Sequence, residues 1–318
     1  MSYLSICSTV GKNTGGIDCD KKRGLPQQLF VGSKVFSVAE LASEATFLTA
    51  LQAAINLPTG SPDKLFPIGP IQGNTDNTEQ NTTGSLGYGL TFVLREGKPS
   101  YSFQLIGGQT QFANVRSFNG STLPVFALDN NGSFWGTRLS DGSLKGEDAQ
   151  LFTSGNPFED GNAVEKKVFT TTLSYVNSND FNNNAAYMSV SFASADVQGL
   201  VDVTVANVGA VSGTTKFSVI AKTAQINGGV NIYDTYKVPL AAVPMWKAYT
   251  GTGFATALTI TSVTANDSDK TWSLVFDATA YAALASGAQI KVKLADPATL
   301  SPAGVPGIES IAVIITKP

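Results

Sequence analysis

Asp129, Asp141, Glu147, Asp148, Glu159 and Asp160 are the residues whose type and clustering could do chemistry. A pair of carboxylates can hydrolyse a glycosidic bond without any histidine. Carboxylates also hold calcium, and Asp129 with Asn131 has the opening spacing of a calcium loop. That loop needs glycine where this sequence has Phe134. Most of these acids adjoin Gly, Asn or Ser, where an aspartate caps its own backbone in a turn. They read as turn residues. No catalytic, cofactor-binding or metal site is expected.

The chain has no histidine. That removes Ser-His-Asp and Cys-His activation of a nucleophile and the H-E-x-x-H zinc motif. Cys7 and Cys19 are the two cysteines. They read as reduced thiols in a terminal arm or as a disulfide formed after release from a cell. Zinc there would need carboxylates or a second subunit's ligands.

"VGKNT" (10–14) ends like a phosphate loop, but Ile6 stands where the leading glycine belongs. "GYGLTF" and "GTGFAT" open like dinucleotide loops and end at Phe92 and Thr256 instead of glycine. Lys21, Lys22 and Arg23 form the single basic run, read as a solvated turn. Trp135, Trp246 and Trp272 are spaced too widely to define a stacking platform. The sequons at Asn81 and Asn119 carry weight only on a secretory route.

The elements that must position these residues follow from pattern. The 318 residues suffice for two ordinary domains. The chain is 42% hydrophobic and 14% charged, with net charge −3, which argues against a general nucleic-acid-binding surface. No apolar stretch approaches the roughly 20 residues of a membrane helix. The N-terminus lacks the pattern of a secretory signal, so folding in a cytoplasm is expected.

Residues 1–36 read as an extended arm. "SVAELASEATFLTALQAAIN", Ser37 to Asn56, predicts an amphipathic helix with Ser37 and Glu40 as capping box. Leu41, Ala45, Leu48, Leu51 and Ile55 fall on its apolar face. Leu57 to Gly84 reads as a long loop with a short strand near Phe66–Ile71. Leu90, Phe92 and Leu94 alternate, as do Tyr101, Phe103 and Leu105, and "REGKP" between them predicts a long hairpin. "TQFANVRSFN" suggests a shorter helix. Between Pro124 and Phe152, "DNNG" and "SDG" mark two tight turns joining three strands. "KKVFTTTLSYV" and "AAYMSVSFAS" are further strands.

Composition shifts near Asp196 toward Val, Ala and Thr. Short strands then recur: "GLVDVTVANV", "TKFSVIAKTA", "NIYDTYKV", "ALTITSVTA", "TWSLVFDA", "AQIKVKLAD" and "ESIAVIITKP". That spacing predicts a β-sandwich. "DATAY" before "SGAQIKVKL" is similar to the corner of immunoglobulin-like domains, with Tyr281 bonding back to the backbone. The expected fold is mainly β (α+β). It comprises an antiparallel barrel or sandwich with one packed helix over 1–195 and an immunoglobulin-like β-sandwich over 196–318.

In this order of elements the chain resembles the tail tube proteins of long-tailed bacteriophages. The resemblance rests on the helix Ser37–Asn56, on "NTDNTEQNTTGSLGYGLTFVLREGKPSYSFQL", on "FALDNNGSFWGTRLSDGSLKGEDAQLF" and on the added C-terminal sandwich. It implies a non-enzymatic virion protein with no cofactor. Copies would form stacked, hexameric rings around a channel, with other tail or connector proteins as partners, DNA as non-specific passing cargo and no membrane. Residues 1–36 and 57–84 would bridge rings. Alternatives are a head–tail connector, a head decoration or fibre-base protein, a secreted or cell-surface adhesin, and a glycosidase or lectin without histidine.

Overall fold

The computed structural model describes residues 4–6, 23–106, 109–154, 168–177, 181, 184–208, 216–224 and 229–318. Glu159, Asp160, Cys7, Cys19, Lys21, Lys22 and "VGKNT" lie outside them. The chain forms two compact units, 1–55 with 59–199 and 56–58 with 200–318.

The strands of unit 1 begin with β1 (Ser5–Ile6), β2 (Pro26–Val31), β3 (Val35–Phe36), β4 (Phe66–Ile68) and β5 (Ile71–Asp76). β6 (Thr82–Ser85), β7 (Thr91–Arg95), β8 (Ser100–Ile106), β9 (Thr122–Asp129) and β10 (Ser133–Arg138) follow. β11 (Leu144–Lys145), β12 (Glu147–Ser154), β13 (Val168–Tyr175) and β14 (Ala185–Ser189) complete it. Its helices are α1 (Glu44–Ile55) and α2 (Gln109–Arg116).

All these strands except β6 and β7 join one 12-stranded sheet, along the path β1-β14-β10-β9-β12-β13-β8-β5. The fold is mainly antiparallel β. Among the described residues no barrel closes. The sheet curls instead: β4 pairs β2, while β5, next in the chain, pairs β8. Pro70 lies between them and has no N–H for the ladder.

Alternate residues of the central strands feed two cores. Phe30, Phe126, Leu128, Phe134, Ala186 and Met188 face α1 with Phe47 and Leu51. Leu29, Val31, Val125, Ala127, Trp135 and Tyr187 face the other way, with Phe103, Leu151 and Leu173. Phe134 is the hub of the first core. Its ring lies 5.3 Å from Phe30, 4.9 Å from Phe47 and 5.2 Å from Phe126.

The predicted capping box forms, but not at the helix. Glu40 accepts from the Ser37 N–H at 2.7 Å and closes a turn over 38–41. The helix starts at Glu44, behind a second reciprocal pair: Thr46 N–H donates to Ser43 Oγ at 3.2 Å, and Ser43 N–H to Thr46 Oγ1 at 3.1 Å. Its buried residues are Phe47, Leu51, Ala54 and Ile55, and Ala45 is exposed.

The loop expected over 57–84 contains β4, β5 and β6. The hairpin expected between β7 and β8 does not form. β7 pairs β6, whereas β8 pairs β5 and β13. Local alternation makes a strand without choosing its partner, and Pro99 just before β8 interrupts a direct ladder.

Unit 2 contains β15 (Val201–Asn207), β16 (Lys216–Thr223), β17 (Trp246–Thr250), β18 (Thr256–Ala257) and β19 (Ile260–Asn266). β20 (Thr271–Phe276), β21 (Gln289–Leu294), β22 (Ile308–Ile311) and β23 (Val313–Thr316) follow. One sheet runs β19-β20-β16-β15-β22 and the other β18-β17-β21-β23. This is the strand order of an immunoglobulin-type sandwich, with β15, β16, β20 and β19 as the first sheet. Val203, Val219, Trp272, Trp246, Val292 and Leu294 meet in the core between the sheets.

"NIYDTYKV" is not a strand. It holds the short helix α3 (Tyr233–Tyr236), with the Asn231 side chain accepting from Tyr233 N–H at 3.0 Å. Tyr281 sits in α4 (Ala278–Ala282), between β20 and β21. Its ring packs on Phe217 and Phe276. Among the described residues the hydroxyl bond back to the backbone is not made.

Two outcomes follow from this packing. Phe134→Ala opens a cavity at the meeting point of these rings and should destabilise unit 1 by about 3–5 kcal/mol, read as a lower urea midpoint by near-ultraviolet dichroism. The second concerns acid. Hydrogen bonds from the Ser191 N–H and hydroxyl hold Glu44 below the usual 4.5, and the Lys34 and Ser37 bonds do the same for Glu40 against its burial. The folded state therefore binds these protons less readily than the unfolded chain. The stability they give is full above the ordinary glutamate range and is lost as pH falls through the lowered values. Glu44→Gln should lower the melting temperature at neutral pH and flatten its fall below pH 4.5; an equal fall in both proteins would contradict the assignment.

Candidate functional site

Arg23, read as part of a solvated turn, is inserted into unit 1. Its Nη1 donates to Glu147 Oε2 at 2.9 Å, and its Nη2 bonds the other carboxylate oxygen. The pair is bidentate, with side-chain exposures of 23% for Arg23 and 3% for Glu147. The guanidinium lies 3.9 Å from the Phe181 ring centroid and 4.9 Å from that of Trp135. Tyr175 packs on Phe181 at 4.6 Å, and Tyr187 on Trp135 at 4.8 Å. The result is an aromatic well with one ion pair inside.

Asp129 aligns this well. Its Oδ1 accepts from the Asn131 and Ser133 N–H groups, each at 2.9 Å, which is the turn role read from sequence. Its Oδ2 accepts from Gly24 N–H at 2.9 Å and Trp135 Nε1 at 2.8 Å. The turn itself needs Gly132, whose φ is +66. One buried carboxylate thus fixes the hairpin turn, the indole and the backbone beside Arg23.

Electrostatics close the well. Burial opposes the charge on Arg23, but Glu147's charge and hydrogen bond outweigh it and hold the group above its ordinary value. Burial, then the Glu147 carboxylate, push the Tyr175 hydroxyl far above its usual range, so it stays neutral. Every acceptor of Asp129 is used within the chain, and Glu147 is paired. The well pins the start of β2. It does not arrange an acid against a base.

The other sequence-selected residues scatter. Asp141 accepts from Ser143 in the β10–β11 turn, and Asp148 pairs Lys145 at 2.8 Å. Phe134 fills the core where a calcium loop needs glycine, and both Asp129 oxygens already accept from N–H groups of the chain. Among the described residues no cluster of acids or thiols could hold a metal. Trp246 and Trp272 meet in the core of unit 2 at 5.8 Å. Asn119 is tied to Thr153 in both directions. "GTGFAT" forms the turn between β17 and β18. No helix is long and apolar enough to cross a membrane among the described residues.

"GYGLTF" lies at the tip of the feature most open to other molecules. The β5–β8 ladder continues outward through Asn77 N–H to Ser100 O at 2.8 Å and Glu79 N–H to Lys98 O at 3.2 Å. Beyond it β6 and β7 project as a separate two-stranded hairpin. Leu86, Leu90, Phe92, Val93 and Leu94 are all exposed there, and Tyr88 is 100% exposed. Gln80 to Leu94 carries no charge. At the base Arg95 pairs Glu79 at 2.8 Å, and Gly97 N–H bonds Asn81 Oδ1 at 2.8 Å. A Cβ at Gly97 would lie 1.7 Å from Glu79 O, so only glycine fits. An exposed apolar cluster of this kind marks an interaction surface. Sequence reading saw β7 but left the start of β6 in a loop and paired β7 with β8.

Comparison with protein-family models, with curated proteins and with solved structures finds no match to this chain.

The well gives a stability prediction. Glu147→Ala leaves the part-buried Arg23 guanidinium without its carboxylate, with the Phe181 carbonyl as a remaining acceptor at 3.3 Å, and should destabilise unit 1 by about 1–3 kcal/mol. The double variant Arg23→Met/Glu147→Leu should recover much of that loss, because it removes both charges. Chemical denaturation of all three proteins checks this. Additive losses would mean that the two side chains do not act as a pair.

Proposed function

We propose that this chain is a structural subunit that assembles with copies of itself, in the manner of the tail tube proteins of tailed bacteriophages. The observation that carries the reading is the β6–β7 hairpin, which holds its apolar side chains in solvent on a braced stem. Burying the part of Leu86, Leu90, Phe92, Val93 and Leu94 that is still exposed, 40–64% of each, would contribute roughly 4–8 kcal/mol in all. Association itself costs about 4–15 kcal/mol. One such contact is therefore weak, and a closed ring of them is strong.

The sheet on one unit and the sandwich on the other suit a wall and an appended module. On this reading the protein works in the virion, with tail or connector proteins as neighbours. Its low charge suits DNA as passing cargo, since few cations stand ready to hold phosphate.

Purified protein should sediment as large assemblies at high concentration. Negative-stain images should show rings or tubes with a central hole. A single monomer boundary at every concentration, with no rings in the images, overturns the reading.

A further inference from the structure

The hairpin has open edges as well as apolar faces. Among the described residues β6 and β7 pair only with each other. Natural sheets guard such edges with Lys, Pro or bulges. Here the guards sit at the base: a register shift between Thr82 and Thr83, and the charges Glu79 and Arg95, which neutralise one another; from Thr83 to Leu94 the edge carries no charge and no Pro.

A second unguarded edge lies near the other end of the chain. Among the described residues β23 pairs only with β21. Ile314 on it is 53% exposed, and Ile311 just before it is 47% exposed. Ser310 to Thr316 carries no charge. The nearest candidate guard, Lys317, is occupied elsewhere. Its Nζ donates to the carbonyls of Tyr281 at 2.9 Å, Ala282 at 3.4 Å and Leu284 at 2.6 Å. Its ammonium also lies 4.8 Å from the Tyr281 ring. Two other open edges are polar: β5 presents Gln72 and Asn74, and β19 presents Thr261, Ser262 and Thr264.

We propose that the β6–β7 hairpin of one copy adds to the β23 edge of a second copy. The proposal rests on the self-assembly reading and names the surfaces it would use. The two partners match in chemistry. Each is an uncharged strand whose outer N–H and C=O groups have no partner among the described residues and whose aliphatic side chains are exposed, so pairing them buries no ion. A lipid surface would cover the side chains and leave those backbone groups unmet. A polyanion would find no cation on either segment. Because the two patches differ, the contact is head-to-tail. It does not saturate at a dimer, and it either closes a ring or continues as a filament.

Leu94→Lys and Ile314→Lys test this, since both side chains are mostly exposed and each charge guards one edge. Near-ultraviolet dichroism should match the wild type for both. Each variant alone should lose assembly in sedimentation velocity and negative stain. An equimolar mixture should stop at a dimer, because the Leu94→Lys protein keeps its β23 edge and the Ile314→Lys protein keeps its hairpin. If the wild type assembles and either single variant does so equally well, this contact is wrong and the self-assembly reading stands. If the mixture shows no dimer, the pairing of these two edges is wrong. A wild type that stays monomeric throughout overturns both.

Discussion

Unit 1 depends on a sheet that is apolar on both faces. Phe30, Phe126 and Phe134 point to α1, while their neighbours Leu29, Val31, Val125, Ala127 and Trp135 point away. A one-residue slip would exchange these two sets without exposing either. Hydrophobicity alone therefore sets the register poorly. Polar anchors must do it, and Asp129 is the chief one. By accepting from Asn131, Ser133, Gly24 and Trp135 it permits one alignment of β9, β10 and the approach to β2. A slip would leave a buried carboxylate without donors, at a cost of several kcal/mol.

The Arg23–Glu147 pair extends that logic outward. A charge pair taken from water seldom adds net stability over apolar residues of similar size. It does add specificity, because only one seating of Arg23 satisfies Glu147 and places the guanidinium between Phe181 and Trp135. Trp135 is in turn oriented by Asp129. The position where the N-terminal segment enters the sheet is thereby tied to the register of the sheet itself.

What was legible in the sequence was local. The turns at "DNNG" and "SDG" place β9, β10 and β11, because Gly132 and Gly142 supply the positive φ those turns need. The recurring short strands place most of the sandwich. The rest depended on partners distant in sequence. Leu90 to Leu94 alternate whichever strand they pair with, so their pairing with β6 instead of β8 was hidden. Arg23 and Glu147 meet across 124 positions, and nothing near either announces the other. Ile232 and Tyr233 are both buried in succession, which breaks a strand's alternation and fits the short helix found there. The Ser37 box was sound as chemistry, yet Ser43 and Thr46 offered a second start, and the helix uses that one.

The same separation of local and distant control bears on the hairpin. An apolar hairpin alone in water is marginal, and this one buries little of its own side chains. It is held from below. The β5–β8 ladder runs to its base, Asn81 bonds Gly97, and the lack of a Cβ at Gly97 lets the two stems approach. The core thus sets the direction and length of an element that contributes nothing to that core. On the proposed self-assembly these exposed residues meet a second copy, and bracing the stem beforehand lowers the ordering cost of that contact.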